Sequence, residues 1–314
     1  MIDADLLRRW CDRWVGAEPA RVLFRKGHLS VVVGLELRDG RQVVVKVRPP
    51  DDRIAGCVAV QRHLYERGFP CPRPVAGPSP LGGAMATAEA LVPDGRALEE
   101  GAGAHPRLAA LLADLVRLAP APSRVPSLEP APPWVGWAHC ERGIWPRPDD
   151  LDVDLDDHPG PAWIDDTAAR VRERLARVDA PLVVGHLDWE AHNIRWLDGA
   201  PYVVDDWDSV GVLCEPAIAG AAAAVYPSSG DGRVVAATVA QTDAFLRSYQ
   251  LARGACWEPD EEQLCWAAGL WPLAFNAKKE IVGRRTGKET LGGSTGYADH
   301  LRCEAEERLR RAGA

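Results

Sequence analysis

One stretch of 28 residues constrains this chain more than any other: Val183 to Val210, VVGHLDWEAHNIRWLDGAPYVVDDWDSV. An apolar run ends in His186-x-Asp188-x-x-x-x-Asn193. After Asp198-Gly199, a second apolar run leads into Asp205-Asp206-Trp207-Asp208. An Asp-Gly pair between apolar segments marks a hairpin-like turn. The pattern predicts short strands near Leu182–Val184 and Tyr202–Val204, with a loop between them that presents a His, an Asp and an Asn. The end of the second strand brings carboxylates beside that loop.

These residue types in this order suit phosphoryl transfer. One carboxylate orients an attacking hydroxyl and accepts its proton. An Asn oxygen and a second carboxylate hold Mg²⁺ on nucleotide phosphates. Hard oxygen donors favour Mg²⁺, whereas zinc would call for more His or Cys. The eight cysteines are scattered, without a C-x-x-C pair or a zinc-like Cys/His spacing, and read as buried thiols in a reducing compartment.

The chain upstream reads as β-rich. Residues 4 to 15 place Leu6, Leu7, Trp10 and Trp14 on one helical face. Leu29–Leu37 and Arg41–Val47 are β-branched runs separated by Arg38-Asp39-Gly40, a strong hairpin signal. Residues 54 to 67 look helical and end at Gly68, Pro70, Pro72 and Pro74 force an extended segment, and residues 83 to 92 form a further strand. Only five of the 37 basic residues are lysines, and one of them, Lys46, sits inside the second β-run. From Pro93 onward the character is helical. Leu108–Leu118 and Ile164–Val178 carry apolar stripes, and residues 215 to 312 read as helices with Gly and Pro breaks. About 119–162 is Pro- and Trp-rich and irregular, which marks a functional insertion or a lid.

The H-x-D-x-x-x-x-N run, the apolar strand and the Asp after it resemble the catalytic signature of the aminoglycoside phosphotransferase and choline kinase group. The resemblance covers about Arg21 to Glu215. It implies an α+β, bilobal protein-kinase-like fold, with a β-rich N-terminal nucleotide-binding lobe (residues 1–92) and a mainly helical C-terminal lobe for catalysis and acceptor binding (93–314). It also implies Asp188 as catalytic base, Asn193 and Asp206 as metal ligands, and His186 as a structural support of the loop. Asp205 and Asp208 keep the second metal assignment open. In such folds a strand lysine reaches the nucleotide phosphates, a role that falls to Lys46. Ser30, in the turn before the first strand run, and Glu89 and Leu91, in an inter-lobe connection at 87–92, complete the expected nucleotide contacts.

Two departures from the group stand out. A glycine-rich phosphate loop is absent, with Gly27-His28-Leu29-Ser30 in its place. The helix that should pair a Glu with the lysine has none at Gly56 to Ala59, although the Gly68-Phe69-Pro70-Cys71-Pro72 turn that follows such a helix is present. Gln61 or Glu66 would have to substitute, or the ion pair is missing.

The activity these readings imply is transfer of the γ-phosphoryl group of ATP or GTP, with Mg²⁺, to a hydroxyl of an antibiotic or related natural product. A housekeeping kinase for an amino alcohol or sugar is the alternative within the same chemistry. A nucleotide-binding pseudoenzyme, and a metal-dependent hydrolase built on His186, Asp188, His192 and Asp206, are the readings outside it. The acidic run Asp149 to Asp157 offers attraction for a cationic acceptor or is a solvated loop. The 12 Trp offer stacking surfaces or core. Lys278, Lys279, Arg284 and Arg285 offer a contact to an acidic acceptor group or close a helix end. A formal charge of −8 argues against nucleic acid as a partner. The longest apolar run, Ala217–Val225, is too short for a membrane span, and the charged N-terminus resembles no secretory signal. The expectation is a cytoplasmic monomer or homodimer.

Overall fold

The computed structural model describes residues 3–27, 29–98, 104–139, 142–177, 179–228, 236–288 and 296–314. Helix α1 (Ala4–Val15) starts where the Asp3 side chain accepts the Leu6 N–H, and it buries Leu7, Trp10, Cys11 and Val15. Beneath it lies a five-stranded antiparallel sheet made of β1 (Pro19–Gly27), β2 (Val31–Leu37), β3 (Gln42–Arg48), β4 (Pro74–Leu81) and β5 (Ala84–Ala90). The spatial order is β1-β2-β3-β5-β4. The Arg38-Asp39-Gly40 turn closes the β2–β3 hairpin as expected, with Gly40 at φ 86°.

Alternation along the strands sends Val33, Leu35 and Leu37 of β2, and Val43, Val45 and Val47 of β3, into one apolar cluster with α1. Val44 and Lys46 consequently face the other way. Strand β1 escapes the sequence pattern because it is a largely exposed edge rich in basic residues. Strand β4 escapes it because of its prolines, which the opposite edge tolerates. The Trp10 indole donates to Ser79 Oγ of β4 at 3.0 Å and ties α1 to that edge.

Helix α2 (Arg53–Glu66) follows β3. Its buried Cys57, Val60 and Leu64, with Phe69 and Cys71 beyond it, belong to the apolar cluster of the C-terminal lobe and not to that of the sheet. The cores therefore interleave in sequence and do not part at residue 92.

The C-terminal lobe contains α3 (Ala104–Leu118), α4 (Ala162–Leu175) and two small antiparallel ribbons. Strand β6 (Leu182–His186) pairs with β9 (Val210–Cys214), and β7 (Ile194–Leu197) pairs with β8 (Ala200–Val204). Asp198 (φ 49°) and Gly199 (φ 80°) form the β7–β8 turn. Helices α5 (Glu215–Val225), α6 (Val239–Arg253), α7 (Pro259–Thr286) and α8 (Tyr297–Ala312) complete the lobe. Helices α5 and α7 touch backbone to backbone at Gly220, where a Cβ would lie 2.0 Å from the Cys265 carbonyl oxygen. Pro272 lies inside α7 without ending it, contrary to the expected break.

Between α3 and α4 the described residues hold only two short 3₁₀ turns, Pro122–Arg124 and Pro133–Val135. This segment is nevertheless anchored. Trp137 and Trp145 pack on Trp271 of α7, and Trp145 also on Phe275. The Trp145 indole also donates to Asp165 of α4, which Lys278 of α7, only 1% exposed, holds at 2.7 Å. Among the described residues, no helix is long and apolar enough to cross a membrane.

Candidate active site

The β6–β9 and β7–β8 ribbons bring the polar motif to one edge of a cavity of about 960 Å³ that opens between the sheet and the helical lobe. That volume is at the upper end of single small-molecule sites. Val44, Lys46 and Leu91 line the sheet side, Asp188, Asn193 and Asp206 the floor, and Asn276 and Tyr297 the helical side.

His186, the last residue of β6, is buried between Trp189 and Trp207, with ring centroids 5.6 and 5.9 Å away. Its Nδ1 accepts the backbone N–H of Asp188 at 3.3 Å, and its Nε2 donates to the Asp205 carbonyl at 3.1 Å. This is the neutral form of the ring, and burial lowers its pKa accordingly. The side chain thus ties the 186–193 loop to the end of β8. Both ring nitrogens are engaged, so His186 offers no metal a donor, which removes a ligand from the hydrolase reading.

Asp188 and Asn193 meet directly. The Asn193 amide donates to Asp188 Oδ2 at 2.9 Å and to the Asp188 carbonyl at 3.0 Å. Asn193 therefore fixes the carboxylate through its amide nitrogen, and the residue lines the cavity. Burial, with the nearby Glu190 and Asp206 carboxylates, holds the Asp188 carboxyl well above the usual carboxylate range. A raised pKa suits a proton acceptor.

The three neighbouring carboxylate candidates, Asp205, Asp206 and Asp208, have different surroundings. Asp205 is taken by Arg195, Nε to Oδ2 at 2.9 Å, and Arg195 also donates to the Val92 and Asp94 carbonyls. Asp208 pairs with Arg48 of β3. Burial works to raise the Asp208 carboxyl, but Lys46, Arg48 and Arg53 together hold it below the usual range. Asp205 and Asp206 both line the cavity, but only Asp206 of the three has no arginine partner among the described residues. Its backbone is left-handed (φ 60°, ψ 52°), a conformation that is uncommon for a residue with a side chain and often marks functional sites. Ser209 Oγ donates to its Oδ2 at 2.9 Å, and Lys46 Nζ lies 4.0 Å from its Oδ1. The side chain remains 42% exposed. Asn193 and Asp206 both line the cavity, and an amide oxygen with a carboxylate is a hard donor set that fits a divalent cation such as Mg²⁺.

On the sheet, Lys46 Nζ sits 3.6 Å from Glu89 Oε1. Burial works against its charge, but Glu89, Asp208 and Asp206 outweigh it and raise the amine's pKa. Glu89 lines the cavity, yet its second oxygen accepts from Gln61 of α2 at 2.8 Å. The carboxylate is thus committed to two neighbours, where the sequence reading had given it to the nucleotide. Leu91 lines the cavity where the chain leaves β5. Ser30 lies between β1 and β2 and is absent from the cavity lining, whereas Phe24 and Lys26 of β1 are part of it. They stand where the glycine-rich loop is missing. The isolated strand pattern gave no hint of this, since β1 itself was not legible.

The other side of the cavity holds Asp149, Asp150, Glu190, His192 and Lys279. Lys279 Nζ is 2.5 Å from Asp150 Oδ2, and His192 Nδ1 is 3.2 Å from Glu190 Oε2. Glu280 caps α8 through the N–H groups of Gly296 and Ala298, and Arg284 pairs with Glu280. Arg285 donates to the Pro159 carbonyl. The basic cluster after Asn276 is therefore internally partnered. Part of the acidic run is likewise engaged within the insertion: Asp156 accepts the Ile144 and Trp145 N–H groups, Asp154 accepts the Asp156 N–H, and Asp152 pairs with Arg147.

Comparison with known proteins gives three findings. The profile of the phosphotransferase enzyme family matches residues 22–259. No curated protein sequence matches. Among solved structures, an amicoumacin kinase in complex with AMP-PNP and Ca²⁺ superposes with a TM-score of 0.64 at 13% identity, covering 99% of this chain and 93% of the other. A spectinomycin phosphotransferase in complex with ADP and spectinomycin gives 0.59 at 12% identity, covering 98% and 94%. A choline/ethanolamine kinase family protein from Mesorhizobium loti gives 0.51 at 15% identity, covering 94% and 87%. At these identities the structural likeness speaks for the fold, which is that of kinase-like phosphotransferases.

Proposed function

Because the chain belongs to the phosphotransferase enzyme family, a class that acts on hydroxyl groups, we propose that it transfers the γ-phosphoryl group of ATP or GTP to a hydroxyl of an antibiotic or related natural product. The observation that carries the reading is the convergence of Lys46, Asp188, Asn193 and Asp206 on one cavity, with Asn193 bonded to Asp188 and Asp206 turned toward Lys46.

In this reading Lys46 contacts the nucleotide phosphates, and Leu91 packs near the base. Asn193 and Asp206 hold Mg²⁺, which when bound neutralises charge on the phosphates. Asp188 accepts the proton of the acceptor hydroxyl as its oxygen bonds to the γ-phosphorus, and the nucleoside diphosphate departs. His186 keeps the two loops in register. The half of the cavity beyond Asp188 receives the acceptor. Two of the structural relatives are named for amicoumacin and spectinomycin, which favours a natural-product acceptor.

Thermal melting with MgATP and with MgGTP, each with and without a panel of hydroxyl-bearing antibiotics, amino alcohols and sugars, tests the proposal. Nucleotide with Mg²⁺ should raise the melting temperature, and one panel member should raise it further. Product formation with that member should vanish in Asp188→Asn, while nucleotide affinity stays within a few-fold of wild type. An Asp188→Asn protein that keeps most of its turnover rules out Asp188 as the base. A panel response limited to amino alcohols or sugars points to the housekeeping reading.

A further inference from the structure

The lysine of the nucleotide lobe has a carboxylate partner, but the partner comes from the sheet. Lys46 of β3 lies opposite Thr87 of β5 in the ladder, and Glu89 is two residues along the same strand. Residues two apart point to the same face, so Glu89 is the diagonal neighbour of Lys46, a separation that long side chains bridge. The observed Nζ–Oε1 distance is 3.6 Å.

Helix α2 has no carboxylate within its buried face: its one acidic residue, Glu66, is exposed at the last position of the helix and does not line the cavity. Its Gly56 is pressed against the 126–128 segment, where a Cβ would lie 2.5 Å from the Ser127 carbonyl oxygen, and Cys57 and Val60 are buried in the C-terminal core. What α2 does offer is Gln61, 4% exposed. Its Nε2 donates to Glu89 Oε2 at 2.8 Å and to the Pro72 carbonyl at 3.0 Å. A buried amide with both donors directed in this way fixes the carboxylate and leaves Oε1 for the lysine.

We propose that Glu89 is the positioning residue for Lys46 and that Gln61 orients Glu89, so that a helix-to-strand relay replaces the direct helix glutamate. The relay rests on the kinase reading above. It makes Lys46 placement a property of β5, one strand end away from the inter-lobe connection, and gives α2 only an indirect hold.

The test is a three-variant cycle, Glu89→Gln, Gln61→Glu and the double exchange. Melting temperature establishes that each is folded, and kcat, acceptor KM and the Kd for Mg–AMP-PNP are measured. All three variants are near-isosteric. Glu89→Gln should lose about 10- to 100-fold in kcat, the range for loss of a charge-assisted contact. Its acceptor KM should stay within about twofold, since Glu89 lies on the sheet side of the cavity. Gln61→Glu sets two carboxylates against each other and should lose about tenfold. The double exchange restores an amide–carboxylate pair and should be at least about tenfold more active than the product of the two single losses. A Glu89→Gln protein with wild-type kcat and nucleotide Kd overturns the relay, as do multiplicative losses in the double variant, or equal losses in nucleotide and acceptor affinity. A wild-type protein that binds no nucleotide overturns the kinase reading and the relay with it. A wild-type protein that binds and turns over while Glu89→Gln matches it overturns the relay alone.

Discussion

Three aspartates within four residues present the sharpest problem at the residue scale. In the sequence, Asp206 is the preferred metal ligand, with Asp205 and Asp208 as the alternatives beside it. In the structure they differ through partners far away in the chain: Arg195 claims Asp205, and Arg48, 160 positions upstream, claims Asp208. Asp205 and Asp206 both line the cavity, but Asp205 is held by Arg195, while Asp206, on a left-handed backbone, lies beside Lys46. The separation predicts opposite phenotypes. Asp206→Ala should weaken Mg–nucleotide binding by at least tenfold with little change in melting temperature, since its side chain is 42% exposed and no buried arginine depends on it. Asp208→Ala leaves Arg48 mostly buried without its anion, at a cost of about 1–3 kcal/mol. That corresponds to a fall of roughly 2–5 °C in melting temperature. Melting curves and nucleotide titrations on the two variants read this out. If Asp208→Ala abolishes metal-dependent binding at unchanged stability, the metal ligand is Asp208. Neither Arg48 nor Arg195 was legible as a partner, because a salt bridge across the fold leaves no local pattern. The H-x-D-x-x-x-x-N loop was legible because its contacts, Asn193 to Asp188 and Asp188 to His186, close within seven residues.

Elements were readable in proportion to how much of their burial is periodic. Strands β2 and β3, helix α1 and helix α3 carry clean alternation or stripes, and the structure places them within a few residues of the sequence reading. Strand β1 is mostly exposed, and β4 contains three prolines, so neither carries the expected signature. Helix α7 is buried nearly all round over its central part, which erases the amphipathic stripe, and Pro272 then suggests a break that packing against α5 and α4 overrides. The irregular segment before α4 is the instructive case. Low regularity suggested a lid or a functional insertion, but its Trp145 is 2% exposed and lies 5.7 Å from Trp271. The Trp145 indole N–H also donates to Asp165 at 2.9 Å, the same carboxylate that Lys278 holds. Trp145→Ala should therefore cost about 3–5 kcal/mol, the usual range for deletion of a buried aromatic. The melting temperature should fall by on the order of 10 °C. A change below about 2 °C would mean that the segment detaches readily and behaves as a lid after all.

At the scale of the whole molecule, the sequence suggested a boundary near residue 92, and the packing does not follow it. Helix α2 is connected in sequence between β3 and β4, yet its apolar face completes the C-terminal core. Its Arg53 donates to the carbonyls of Leu128 at 3.1 Å and Val210 at 2.7 Å, both in the C-terminal lobe. The same helix sends Gln61 to Glu89 on the sheet. Removing the sheet from the helical lobe would therefore expose Val60, Leu64 and Phe69 or tear α2 from its flanking strands. Each buried aliphatic or aromatic residue of this kind contributes about 1.5–3 kcal/mol, so separate unfolding of the sheet carries a penalty comparable to the stability of an ordinary domain. Calorimetry should accordingly show one endotherm, with a calorimetric to van't Hoff enthalpy ratio close to one. Saturation with Mg–nucleotide at about 100 times Kd should shift that single transition by about 2.7 kcal/mol of stability without splitting it. Two resolved endotherms, only one of them moved by nucleotide, would mean that the sheet and the helical lobe hold themselves together independently, and that α2 belongs to one of them alone.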